Sequence, residues 1–230
     1  MKSITVDVVF LAGGRGTRLG ALTKTMPKPL VEVGSRPFIH YPMDHLTSSG
    51  MVRKFIMCTG YLADQFNVLG THFKSVPIQY SREQTPMGTG GALVAAAVAI
   101  SSDFFLLING DTFIDFDVSK FITACTQTNQ MGLVVTTVPD VSKTGWEIKI
   151  TADGATYISS DGPSAGLING GVYLLRKSFV EMLPKHPFSL EDKILKEGDV
   201  LKNLHLFQHD GRFIDMGTPE GLERAKATLC

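Results

Sequence analysis

Cysteine is scarce in this chain, and what little there is carries no pattern. The three residues, Cys58, Cys125 and Cys230, are odd in number, scattered and without metal-ligand spacing. That excludes a disulfide framework and a zinc module and fits a reducing, cytoplasmic setting. A charge of one sign is missing too. Lys+Arg and Asp+Glu both number 22, so nothing in the balance calls for nucleic acid or a membrane surface as partner. No run approaches the length of a membrane span, and the longest apolar stretch, Ala92 to Ile100, reads as a buried helix. The N-terminus has one Lys and then a strand, with no apolar leader. Repeats, low-complexity tracts and nucleophile-elbow sequences are absent, and the six histidines show neither metal spacing nor a nucleophile partner.

What is present is concentrated near the start. An apolar run, Val6 to Phe10, leads into Leu11-Ala12-Gly13-Gly14-Arg15-Gly16-Thr17-Arg18-Leu19, and Pro27-Lys28-Pro29-Leu30 follows. A buried strand therefore ends in a loop of glycines and arginines. Glycines let backbone N–H groups approach a ligand closely. Arginines add planar cationic forks suited to phosphate oxygens. Lys28 is a further cation, stiffened between two prolines. The set reads as a pocket for a polyanionic phosphate. It is neither a Walker A loop nor the dinucleotide fingerprint.

Strand-like and helix-like segments alternate over the first 140 residues. Strands are expected at Val6–Leu11, Arg53–Cys58, Ile78–Ser81, Asp103–Ile108 and Leu133–Val138. Helices are expected at Arg36–Ser49, Tyr61–Leu69, Gly90–Ile100 and Val118–Gln127. Such alternation implies parallel strands with helical crossovers. The rhythm then changes. A hairpin spans Trp146–Ile150 and Ala155–Ser159 about a turn at Asp153-Gly154. A strand at Leu167–Leu175 is interrupted by Gly170-Gly171. Short helices follow at Phe179–Leu183 and Leu190–Glu197, strands at Leu204–Gln208 and Arg212–Met216, and a helix capped by Thr218-Pro219 runs to Leu229. One α/β domain over residues 1–230 is expected, a doubly wound sandwich with an antiparallel hairpin insertion.

Three further segments carry candidate chemistry. Asn109-Gly110-Asp111 follows the most apolar strand, where open α/β sheets bind ligands. From the residues alone it is equally an ordinary turn with Asp111 as a cap. Glu83 to Ala92 is a second Gly-rich turn opening a helix, suited to a flat base or to plain β–α packing. Phe213-Ile214-Asp215-Met216-Gly217-Thr218 places a second carboxylate at a strand end.

The ordered set Gly13-Gly14-Arg15-Gly16-Thr17-Arg18-Leu19, Pro27-Lys28-Pro29 and Arg36-Pro37-Phe38-Ile39 resembles the signature of the sugar-phosphate nucleotidyltransferases, also called nucleoside-diphosphate-sugar pyrophosphorylases. The likeness covers essentially the whole chain. It implies a Rossmann-like mixed α/β/α sandwich, with a nucleotide-binding part to about residue 140 and a sugar-binding part after it. Larger members add a C-terminal β-helix, for which this chain has no room. Pro86-Met87-Gly88-Thr89-Gly90-Gly91 and Leu167-Ile168-Asn169-Gly170-Gly171-Val172-Tyr173 most resemble the short bacterial branch. The expectation is transfer of a nucleotidyl group from a nucleoside triphosphate, GTP favoured, to a sugar 1-phosphate, heptose first. Mannose 1-phosphate with GTP and N-acetylmuramate 1-phosphate with UTP are the alternatives within the branch. A non-catalytic nucleotide-sugar sensor is the alternative of another class. A homodimer stays open as an assembly.

The resemblance also implies roles. Mg²⁺ would sit on Asp111 and Asp215. Leu11 to Arg18, Glu83, Gly88, Thr89 and Asp111 would bind the nucleotide. Asn109, Gly110, Asn169 and Gly170 would meet the sugar phosphate, joined by Glu191, although Ser189 reads more simply as a helix cap. Arg18, Lys28 and Asp111 would carry the chemistry. One departure matters. Many members have a Glu-Lys pair after the hairpin whose Lys contacts the sugar phosphate. Here that region reads Ile158-Ser159-Ser160-Asp161-Gly162-Pro163, and Lys149, Lys143 and Arg176 are the candidate replacements.

Overall fold

The computed structural model describes residues 4–139, 146–152, 154–159, 165–196 and 200–230. The expected turn residue Asp153, the expected cation Lys143 and the 160–163 segment lie outside them. Strand β1 (Val6–Leu11) is buried on both faces and pairs in parallel with β4 (Val52–Thr59) and β7 (Phe104–Asn109). Its apolar run needs both faces covered, as parallel strands do. Strand β6 (Val76–Arg82) continues the parallel set beyond β4, and the short β5 (His72–Phe73) closes that edge antiparallel. On the other side β12 (Gly166–Arg176) pairs antiparallel with β7 and with β9 (Gly132–Val138). The early half of β12 also meets the hairpin of β10 (Trp146–Thr151) and β11 (Gly154–Ser159), and β13 (His205–His209) lies parallel to β9.

Helices cover both faces. Helix α2 (His40–Ser48) and α4 (Val118–Thr128) press Met43, Leu46, Phe121 and Ile122 onto Val8, Phe10 and Leu106. Helix α3 (Gly88–Ala96) and α5 (Lys177–Glu181) press Leu93, Ala96 and Val180 onto Val9, Leu107 and Leu175. Asp117 caps α4 by accepting the Lys120 N–H at 2.9 Å. A third apolar cluster joins Leu19, Val33, Phe38 and Phe113 to α6 (Pro219–Leu229), capped by Thr218.

Several elements differ from expectation for local reasons. The helix expected from Arg36 starts at His40, because Pro37 keeps Arg36 extended. Glu32–Val33 (β2) and Arg36–Pro37 (β3) instead pair antiparallel about Gly34. Ala63–Leu69 is a 3₁₀ helix entered through Leu62 at φ 52°, and Asp192–Lys196 is a π-helical turn. Two three-residue strands, β8 (Thr112–Ile114) and β14 (Phe213–Asp215), form a separate antiparallel pair. That pair carries Asp215 to the turn that follows β7. The glycines within β12 form a bulge between Asn169 and Val172, and a Cβ on Gly170 would stand 2.8 Å from the Val134 carbonyl oxygen.

Candidate active site

The signature loop leaves the carboxyl end of β1 and is tied at its start to β4 and the turn that follows it. The Ala12 N–H donates to Cys58 O at 3.0 Å, and the Tyr61 N–H donates to Gly13 O at 3.1 Å. Gly13 is pressed against β4 and the following turn: a Cβ there would lie 2.9 Å from Glu83 Oε2. Gly16 has φ 60° and packs on the Lys28 stem, and its carbonyl accepts from the Thr23 hydroxyl at 2.9 Å. Beyond it lie the 3₁₀ turn Thr17–Leu19 and the short helix α1 (Leu22–Thr25). Tyr61 and Gln65 strap this helix down by donating to Lys24 O at 3.0 Å and Thr25 O at 2.5 Å. The Arg15 guanidinium lies 5.7 Å from the Tyr61 ring centre.

A cavity of about 430 Å³ opens at this carboxyl edge. One wall is Leu11 to Gly16. Asn109, Gly110 and Asp111 form the floor with Lys28 and Pro29, and Glu83, which lies against Gly13, continues the lining with Pro86, Gly88, Thr89, Ala92 and Glu191. Most of the expected site residues thus converge. Pro29, Pro86 and Ala92, none of them an expected site residue, add apolar wall.

The floor is charged. Lys28 is 8% exposed and its Nζ lies 2.7 Å from Asp111 Oδ2. Asp215 stands on the neighbouring turn, where the Met216 N–H donates to Asp111 O at 2.9 Å. Burial, then repulsion from Asp111, holds the Asp215 carboxyl above the usual carboxylate range. The Gly217 N–H, Arg18 and Lys28 pull it back. Arg18 sits beside this carboxylate: a Cβ on Gly217 would lie 2.7 Å from Asp215 Oδ1 and 3.0 Å from an Arg18 amino nitrogen. Two mutually repelling carboxylates are a donor set that fits a hard divalent cation. Among the described residues no group of three or more His, Cys, Asp or Glu could hold a metal. A cation here would therefore take its remaining oxygens from water or substrate phosphates, as Mg²⁺ does.

Glu83 heads its loop. Oε1 accepts the Met87 N–H at 3.2 Å, and Oε2 faces Gly13 and Gly60. Burial raises its carboxyl above the ordinary value, and the Met87 N–H offsets part of that. Asn169 and Gly170 do not line the cavity. The Asn169 amide is spent inside the bulge: Oδ1 accepts the Gly171 N–H at 2.8 Å and Nδ2 donates to Tyr173 Oη at 2.5 Å. Thr17, Arg18 and Asp215 also stand outside the lining, the latter two just behind Asp111. Arg176 sits at the far end of the sheet, over the Phe104 ring at 4.6 Å, so it is not the missing phosphate cation. Lys149 pairs with the buried Glu147 at 2.9 Å.

The nucleotidyl transferase family model matches residues 7–230. The chain is 30% identical over 227 residues to the D-glycero-alpha-D-manno-heptose 1-phosphate guanylyltransferase of Aneurinibacillus thermoaerophilus, covering 97% of this chain and 98% of that one. It is 29% identical to the Mannose-1-phosphate guanylyltransferase catalytic subunit beta of Drosophila melanogaster, over 92% of this chain and 59% of that one. Among solved structures, HddC from Yersinia pseudotuberculosis complexed with GMP-PN superposes with a TM-score of 0.84 at 30% identity, covering 98% of this chain and all of that one. Among the described residues no helix is long and apolar enough to cross a membrane.

Proposed function

The chain belongs to the nucleotidyl transferase family, and from that premise we propose that it joins GTP to a neutral hexose or heptose 1-phosphate, D-glycero-alpha-D-manno-heptose 1-phosphate first, releasing pyrophosphate. A phosphate oxygen of the sugar 1-phosphate attacks the α-phosphorus of GTP. The new P–O bond forms as the α–β bridging bond breaks, and the bridging oxygen leaves with its electron pair on pyrophosphate. No enzyme nucleophile is required, so the chain contributes position and charge. The product class suits surface glycan assembly.

The observation that carries this reading is the Lys28–Asp111 pair at 2.7 Å, set at the carboxyl edge beneath a glycine loop. Backbone N–H groups of Gly13 to Gly16 hold the triphosphate, and Arg15 and Arg18 meet the charge that grows on pyrophosphate. Lys28, held in place by Asp111, presents a fixed positive charge to the reacting phosphates. Mg²⁺ is the metal we assign to Asp111 and Asp215; when bound it neutralises phosphate oxygens at the reacting centre. Asn109 and Gly110 border the ribose and sugar phosphate.

Glu83 supports guanine. Guanine offers two adjacent donors, N1–H and the N2 amino group, and a carboxylate offers two acceptors. Oε1 already takes the Met87 N–H but keeps a second lone pair, and Oε2 has no protein donor among the described residues. Uracil and thymine offer one donor flanked by carbonyl oxygens that a carboxylate repels. The test is a screen of four nucleoside triphosphates against neutral sugar 1-phosphates with Mg²⁺, read by pyrophosphate release. GTP should give the highest kcat/KM; a preference for UTP or CTP overturns the guanylyl assignment.

A further inference from the structure

The base loop and the segment Phe188–Glu191 are fastened together more tightly than packing requires. The Phe188 N–H donates to Met87 O and the Gly90 N–H donates to Phe188 O, both at 3.1 Å. Gly90 has no room for a side chain, since a Cβ would stand 2.2 Å from the Phe188 ring. At the centre is the Thr89 hydroxyl. It accepts the Leu190 N–H at 2.9 Å and donates to Glu191 Oε2 at 2.5 Å, across 102 positions of sequence. The Ser189 hydroxyl reaches the same oxygen at 3.4 Å while accepting the Asp192 N–H at 3.1 Å. Both hydroxyls converge on Oε2. Oε1 has no protein partner among the described residues, and Glu191 lines the cavity.

A carboxylate that lines a ligand cavity with one oxygen anchored, and the other without a protein donor among the described residues, is an acceptor held ready for O–H donors. The cations of the lining, Arg15 and Lys28, come from the signature loop and its partner segment, and Lys28 is paired with Asp111. Neither is bonded to Glu191. A sugar hydroxyl is welcome at Oε1, and a second carboxylate is repelled.

Resting on the transfer reading above, we infer that Glu191 reads a hydroxyl of the acceptor sugar, that it selects neutral sugar 1-phosphates against those bearing a carboxylate, and that Thr89 is the positioning residue that aims it. The Thr89 hydroxyl is thereby taken out of nucleotide recognition, although Thr89 lies in the nucleotide loop.

Calorimetry separates these roles without turnover. The protein is loaded with a GTP analogue carrying a methylene in place of the α–β bridging oxygen, then titrated with mannose 1-phosphate or with its C6 acid, mannuronic acid 1-phosphate. Mannose 1-phosphate should bind tighter by about tenfold or more, from one like-charge contact in a partly screened site. Thr89→Val should weaken mannose 1-phosphate by about tenfold, the scale of one hydrogen bond to a charged group, and by more than it weakens the analogue. Thr89→Ser should restore it, and Glu191→Gln should shrink the gap between the two sugars. Equal binding of the acid overturns the inference, as does a Thr89→Val that weakens the analogue instead, or no binding of either sugar phosphate. Failure of the transfer reading would appear separately, as binding of both ligands without pyrophosphate release from GTP.

Discussion

Asp215→Asn should make the protein more stable and nearly inactive. In the folded chain the Asp215 carboxyl is raised by burial first and by Asp111 second. A raised carboxyl stabilises the fold only while it is protonated. Its contribution is full below the unfolded value, near 3.8, and is lost as pH rises through the folded value. At pH 7 the wild type therefore holds an unfavourable buried charge. The amide removes that charge and keeps the acceptor for the Gly217 N–H, which the wild type holds at 2.7 Å. Each pKa unit relieved is worth about 1.4 kcal/mol. A chain of this size gains about 2–4 °C in Tm per kcal/mol. Thermal unfolding at pH 7 should show a higher Tm, and the advantage should fade as pH falls toward the unfolded value, where wild-type Asp215 is protonated as well. Turnover should meanwhile fall about 100- to 1,000-fold, the scale of losing one preorganised charge contact at a reacting centre, ~2.7–4 kcal/mol. A lower Tm at pH 7, or turnover near wild type at saturating Mg²⁺, would refute the reasoning.

Arg18→Ala should cut kcat more than it raises KM for the sugar phosphate, because its charge is assigned to the leaving pyrophosphate; the opposite split in steady-state kinetics removes that role. Glu83→Gln should lower kcat/KM for GTP more than for UTP, and an equal loss for both leaves Glu83 as a loop cap for Met87 alone. Gly90→Ala should cost about 1–3 kcal/mol in denaturant unfolding, since its Cβ would stand 2.2 Å from the Phe188 ring; a neutral result would show that Phe188 moves freely.

The parts of the site that were legible in the sequence are the local ones. The loop from Leu11 to Arg18 and the turn at Asn109–Asp111 announce themselves by glycine and charge directly after apolar strands, so the carboxyl edge could be found by reading along the chain. The doubly wound core was legible for the same reason, since β1, β4 and β7 each carry a run of buried apolar residues. What was hidden depends on contacts distant in sequence. Strand β8 has three residues, too short for a period, and its pairing with the expected β14 is what carries Asp215 to the turn bearing Asp111. The Thr89–Glu191 bond joins residues 102 positions apart. The reason for the glycines at 170–171 is hidden in the same way, since the close neighbour of Gly170 is the Val134 carbonyl of β9. Arg176 was a candidate phosphate cation by charge alone, and the antiparallel direction of β12 puts it at the opposite end of the sheet.

The most direct test of the account is the fate of oxygen in a single turnover. Sugar 1-phosphate labelled with ¹⁸O on the phosphate is mixed with GTP, Mg²⁺ and excess protein, and the products are weighed by mass spectrometry. Direct attack on the α-phosphorus predicts that every label stays in the nucleotide sugar, that pyrophosphate is unlabelled, and that no nucleotidyl group is ever bound to the protein. Label in pyrophosphate, a nucleotidylated protein, or no nucleotide sugar from any neutral sugar 1-phosphate would contradict it.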